Sequence, residues 1–164
     1  MVDAASDPIE VIPDEDTVSR PFFKIPSDID PRSALRFDYD RVRDESALSV
    51  VWRKYAPSTQ EVHSCGCAVA VEASEGNRRK GGAPAEYGGF RSAQVASVRA
   101  IKSQRGNGLE VLHVPVPGKR WHAHISVVAT PGQRTKNISK TVRGELRELL
   151  YAALGPYEPY GGPR

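Results

Sequence analysis

Leu109-Glu110-Val111-Leu112-His113-Val114, then Pro115-Val116-Pro117-Gly118-Lys119-Arg120, then Trp121-His122-Ala123-His124-Ile125-Ser126-Val127-Val128: this stretch decides the fold. Two runs rich in β-branched and aromatic residues flank a Pro-Gly turn, the pattern of a β-hairpin. Alternation in the second run puts Trp121, Ala123 and Ile125 on one face. His122 and His124 fall on the other, about 7 Å apart at their bases.

Working outward, the C-terminal side carries a helix. Ile138, Val142, Leu146, Leu149, Leu150, Ala153 and Leu154 recur at helical spacing, while Lys140, Arg143, Arg147 and Glu148 take other faces. Gly155-Pro156 ends it. On the N-terminal side, Ala47 to Arg53 is a strand, and alternation of Leu35, Phe37 and Tyr39 suggests another. Ser58 and Glu61 form a capping box that starts a helix from about Thr59 to Ser74, stopping at Gly76. Gly66 weakens that helix, and a strand over Cys67 to Val71 competes with it. Residues 76–89 are expected as a flexible basic loop, and Phe90 to Ile101 as a short helix or a strand-helix join. The sum is an α+β fold: a small, mostly antiparallel sheet with two or three helices, the last one amphipathic and C-terminal.

The 164 residues suit one domain over 20–155, preceded by a disordered acidic arm over 1–19 and followed by a flexible Pro/Gly/Tyr tail over 156–164. No secretory leader and no apolar run of membrane-spanning length stand in the sequence, so no membrane partner is expected. Cys65 and Cys67 are one residue apart, a poor spacing for a disulfide, which points to a reducing, cytoplasmic location.

Charge is unevenly placed. Between Arg78 and Lys140 twelve Lys and Arg residues face only Glu86 and Glu110, a local net charge of +10 against +3 for the whole chain. The first nineteen residues hold six acids and no base. A basic body with an acidic arm suggests a polyanion-facing surface, RNA before DNA, which the arm can cover. The candidate nucleic-acid contacts are Arg78, Arg79, Lys80, Lys102, Arg105, Lys119, Arg120, Arg134 and Lys136.

The candidate catalytic residues are His122 and His124. Two imidazoles on one strand face can divide general base and general acid work near neutral pH, and a phosphodiester is the substrate that suits basic surroundings. A metal-independent, histidine-based nuclease or phosphotransfer enzyme is therefore the alternative to simple binding. His63, Cys65 and Cys67 would share one face in a strand and could hold zinc with His122 or His124; in a helix His63 and Cys67, four apart, could still share a metal, while Cys65 diverges. Neither Gly81-Gly82 nor Gly88-Gly89 is followed by the Lys-Ser or Lys-Thr of a phosphate loop, and no cofactor is expected. A third possibility is a protein-interaction subunit, as of a toxin–antitoxin or defence system, with the 138–154 helix meeting a partner protein.

Leu48-Ser49-Val50 after an Arg/Phe/Pro-rich stretch, and Pro115 followed by His122-Ala123-His124-Ile125, are the residues of a resemblance. The chain resembles a group of small bacterial proteins with no assigned function. That resemblance implies a bacterial, cytoplasmic α+β protein and brings no activity with it.

Overall fold

The deciding stretch folds as a hairpin. In the computed structural model, which describes residues 7–25 and 28–162, β5 (Gly108–His113) pairs antiparallel with β6 (His122–Val128), from Gly108 opposite Val128 to His113 opposite Ala123. The remaining strands are β1 (Thr17–Phe23), β2 (Asp38–Asp40), β3 (Glu45–Trp52), β4 (Tyr87–Gln94) and β7 (Glu158–Pro159). They form one seven-stranded antiparallel sheet in the order β5-β6-β3-β1-β4-β7, with β2 also paired to β3. Three α-helices complete an α+β fold: α1 (Thr59–Arg79), α2 (Val95–Arg99) and α3 (Lys140–Ala153).

The sheet buries both faces unequally. On its core face Leu48, Val50 and Trp52 of β3 meet Ala123, Ile125 and Val127 of β6, and α3 lays Val142, Leu146 and Leu150 onto them. The stripe of α3 is thus spent on its own core, with Leu149 left 39% exposed. On the outer face a smaller cluster joins Val62 and Cys65 of α1 to Val51, Ala56 and Phe90. β3 is therefore buried along its whole core face, while its outer face is half-buried at Glu45, Ala47 and Ser49 until Val51 enters the smaller core.

α1 starts at Ser58 with the expected capping box: Glu61 N–H donates to Ser58 Oγ (3.1 Å), and Ser58 N–H donates to Glu61 Oε2 (2.8 Å). It does not stop at Ser74. It runs through Gly76 to Arg79, so residues 76–79 are helix, and the expected basic loop shrinks to a short turn before β4. Gly66 has a reason to be glycine, because a Cβ there would meet the Tyr87 ring at 2.3–2.8 Å.

The expected acidic arm is corrected over its described part. Thr17–Phe23 is a strand paired on both sides, with β3 and β4. Ahead of it, Ile12 is 1% exposed in the main core, and three of the acids have partners: Asp16 Oδ2 accepts from Trp52 Nε1 (2.8 Å), Asp14 meets Arg99 (2.7 Å), and Glu10 meets Lys54 (2.6 Å). The physical reason is that Glu10, Asp14 and Asp16 each have a local cation or donor and Ile12 enters the core, so this stretch docks rather than floats. Residues 1–6 of the arm lie outside the described residues. The tail is docked too: β7 pairs with Gly89 and Phe90 of β4, and Tyr160 packs on His63 and Tyr87.

Candidate active site

β3 and β6 lie side by side with Ser49 opposite His124 and Val51 opposite His122. Because paired residues share a face, the outer face of these strands brings together Glu45, Ser49, His122, His124 and Ser126. α1 covers the β1–β4 half of this face. Over the β5–β6 half, Leu112 and Val128 remain 44% and 43% exposed.

Two oriented imidazoles result. His122 Nδ1 lies 2.6 Å from Val114 O, which can only accept, so Nδ1 carries the proton. Its Nε2 then accepts from the Ser49 hydroxyl at 3.2 Å. His124 Nδ1 is 3.0 Å from Glu45 Oε1, which also accepts from the Ser126 hydroxyl. The Nε2 of His124 makes no hydrogen bond among the described residues and reaches solvent. The two rings are 5.0 Å apart, centroid to centroid. Both members of the His124–Glu45 pair have side chains only 14% exposed.

Burial holds His122 below the ordinary imidazole value, and the positive fields of His124, Lys119 and Arg43 act the same way, outweighing the bond to Val114 O. Its neutral form, with a lone pair on Nε2, is the one the fold favours. A general base with a fixed tautomer sits beside a second imidazole backed by a carboxylate. Such a pair can take a proton at one nitrogen and deliver one at the other.

The other two histidines stand apart. His113 is clamped between backbone groups, with Glu10 N–H donating to Nδ1 (3.0 Å) and Nε2–H donating to Arg120 O (2.7 Å). His63 lies in α1, its Nδ1 hydrogen-bonded to the Tyr87 hydroxyl (2.8 Å), and burial lowers its pKa. With α1 helical, Cys65 turns away from His63 and Cys67, which lie four residues apart on one side of the helix, and burial pushes the Cys65 thiol up to about 11. Among the described residues no three His, Cys, Asp or Glu gather in a metal-holding group.

The nine basic candidates fall into three places. Arg78 and Arg79 sit in the last turn of α1 with Lys80 at its C-cap, where cations complement the helix carbonyl end. Lys119 is paired with Glu72, and Arg120 stacks 4.4 Å over the Tyr55 ring with Glu10 at 3.9 Å. Lys102, Arg105, Arg134 and Lys136 belong to two loops pinned together: Asn107 Nδ2 donates to Val128 O (3.0 Å) and Gln133 Oε1 (2.8 Å). Those four make no ion pair among the described residues. The basic residues thus do not form one patch, although four of them lie on the two segments pinned together at the Val128 end of β6.

Glu45, Ser49 and Ser126 were not among the sequence candidates. Their partnership depends on the β3–β6 register, for which the sequence carries no local signal. No known family model, curated protein or solved structure matches the chain. Among the described residues, no helix is long and apolar enough to cross a membrane.

Proposed function

We propose that this protein binds single-stranded RNA along the outer face of β6 and cleaves it without a metal, with His122 as base and His124 as acid. The observation that carries the proposal is the pair of imidazoles 5.0 Å apart, one presenting a lone pair to a hydroxyl and the other a solvent-reaching Nε2 backed by Glu45. Ser49 already gives His122 Nε2 a hydroxyl partner at 3.2 Å, the contact that a ribose 2′-hydroxyl would need. In the reaction, the 2′-oxygen attacks phosphorus and its proton passes to His122 Nε2. The bond from phosphorus to the 5′-oxygen breaks, and that oxygen takes a proton from His124 Nε2. Glu45 supplies a counter-charge to the His124 imidazolium.

Binding draws on a second observation. From His122 to Val128 the strand extends about 20 Å, ending beside the two segments that carry Lys102, Arg105, Arg134 and Lys136, which make no ion pair among the described residues. A flexible polyanion can lie across the exposed Leu112 and Val128 with its backbone on those cations.

The test is cleavage of an unstructured oligoribonucleotide in EDTA. His122→Asn and His124→Asn should each lower kcat by about 100-fold or more while the circular dichroism spectrum is kept. Ser49→Ala should leave turnover within a few-fold. A loss with Ser49→Ala as large as with His122→Asn would make Ser49 the nucleophile and overturn the role given to the 2′-hydroxyl.

A further inference from the structure

On the core side of the sheet, away from the histidine pair, a cleft of ≈ 500 Å³ opens between the 35–37 segment and α3. Its walls carry Arg36, Lys140, Arg143 and Arg147, above Leu35 and Phe37. The charge there is poorly matched. Arg36 is paired with Asp38 (2.8 Å) out in solvent. Arg147 has Glu148 only at 4.0 Å, and the other oxygen of that carboxylate is held by Arg32 at 2.7 Å. Lys140 and Arg143 make no ion pair among the described residues; Arg143 Nη1 donates to Phe37 O at 3.4 Å.

Two further facts distinguish this cleft from an ordinary basic surface. The Nε atoms of Arg143 and Arg147 are both buried and have no hydrogen-bond partner among the described residues. Buried polar groups are normally satisfied, so two orphaned guanidinium donors in one cleft call for an acceptor. Second, Lys140, Arg143 and Arg147 follow one another at helical spacing from the first turn of α3, which holds no acid. Like charges on one helix face repel, and cations oppose the positive end of the helix dipole. A structure that gathers unfavourable charge with unsatisfied donors is built to receive an anion.

The geometry points to this cleft as a binding site for a phosphomonoester group, presented by a small molecule. A dianion with three acceptor oxygens answers several guanidinium donors at once, which a carboxylate with two does less well.

Calorimetric titration of the full chain with inorganic phosphate, at constant ionic strength set by chloride, tests this. Saturable binding of one phosphate per chain is expected, weakened at least tenfold in Arg143→Gln and in Arg147→Gln. Because Arg143 also holds Phe37 O, Lys140→Gln is the second variant: it is surface-placed, should stay folded, and should weaken binding several-fold. Phosphate should raise the Tm of the wild type and leave that of Arg147→Gln unchanged. His122→Asn/His124→Asn should bind phosphate as the wild type does. Absence of saturation up to about 10 mM phosphate, or unaltered binding in all three cleft variants, would overturn the site. An oligoribonucleotide without terminal phosphates that binds through Arg147 while phosphate does not would make the ligand a diester backbone and overturn the monoester assignment.

Discussion

At the scale of single residues, a chemically useful imidazole is separated from a structural one by the identity of its partners. His113 spends both nitrogens on backbone groups, whereas His124 Nε2 has no hydrogen-bond partner among the described residues and His122 offers its Nε2 to a hydroxyl. A pH dependence follows. Burial lowers the pKa of His122 and of His63 in the folded state, so the unfolded chain binds more protons as pH falls below about 6.5. Their contribution to stability is full above that pH and is lost as pH falls toward the folded values. The lowered carboxyls Glu10, Asp30 and Glu61 respond only in a more acidic range. Thermal melts should therefore show Tm declining between about pH 6.5 and 5, and His122→Asn should flatten part of that slope. An unchanged slope in the variant would mean that His122 is not held neutral by the fold.

At the scale of elements, the capping box, the hairpin and the amphipathic last helix were legible because each is written in neighbouring residues. Ser58 and Glu61 satisfy each other's backbone amides whatever the rest of the chain does. The end of α1 was not legible, since Gly76 reads as a stop and the helix passes through it to Arg79. Gly66 was read as a weakness although it is a packing requirement, and that depends on Tyr87, twenty-one residues away. A helical Gly→Ala change normally gains about 1 kcal/mol. Here Gly66→Ala should instead destabilise by about 1–3 kcal/mol in urea unfolding, because the new methyl overlaps a ring held by His63. A stabilised variant would show that Tyr87 moves aside without loss.

At the scale of the whole molecule, local charge was legible and its placement was not. The acids of residues 7–16 read as a free arm, yet Asp14 and Asp16 meet Arg99 and Trp52, and Val18 and Ser19 pair with Trp52 and Val51 at the centre of the sheet. Deleting residues 1–19 should therefore abolish cooperative unfolding in a circular dichroism melt. A folded truncation would contradict the central place of β1. Likewise the +10 segment divides between a helix end, a hairpin turn and two pinned loops, and only strand order decides which of these meet. If RNA uses the Val128 end, replacing Arg134 and Lys136 by Gln should reduce the slope of log Kobs against log salt by about 0.7 per cation.

The catalytic proposal is tested most directly by kcat/KM for cleavage of an unstructured oligoribonucleotide in EDTA, measured between about pH 4.5 and 9. The expected result is metal-independent cleavage with an acid limb that falls as His122 takes up its proton, below about pH 6.5. No cleavage at any pH, or a rate that only climbs with hydroxide and has no acid limb, would contradict it.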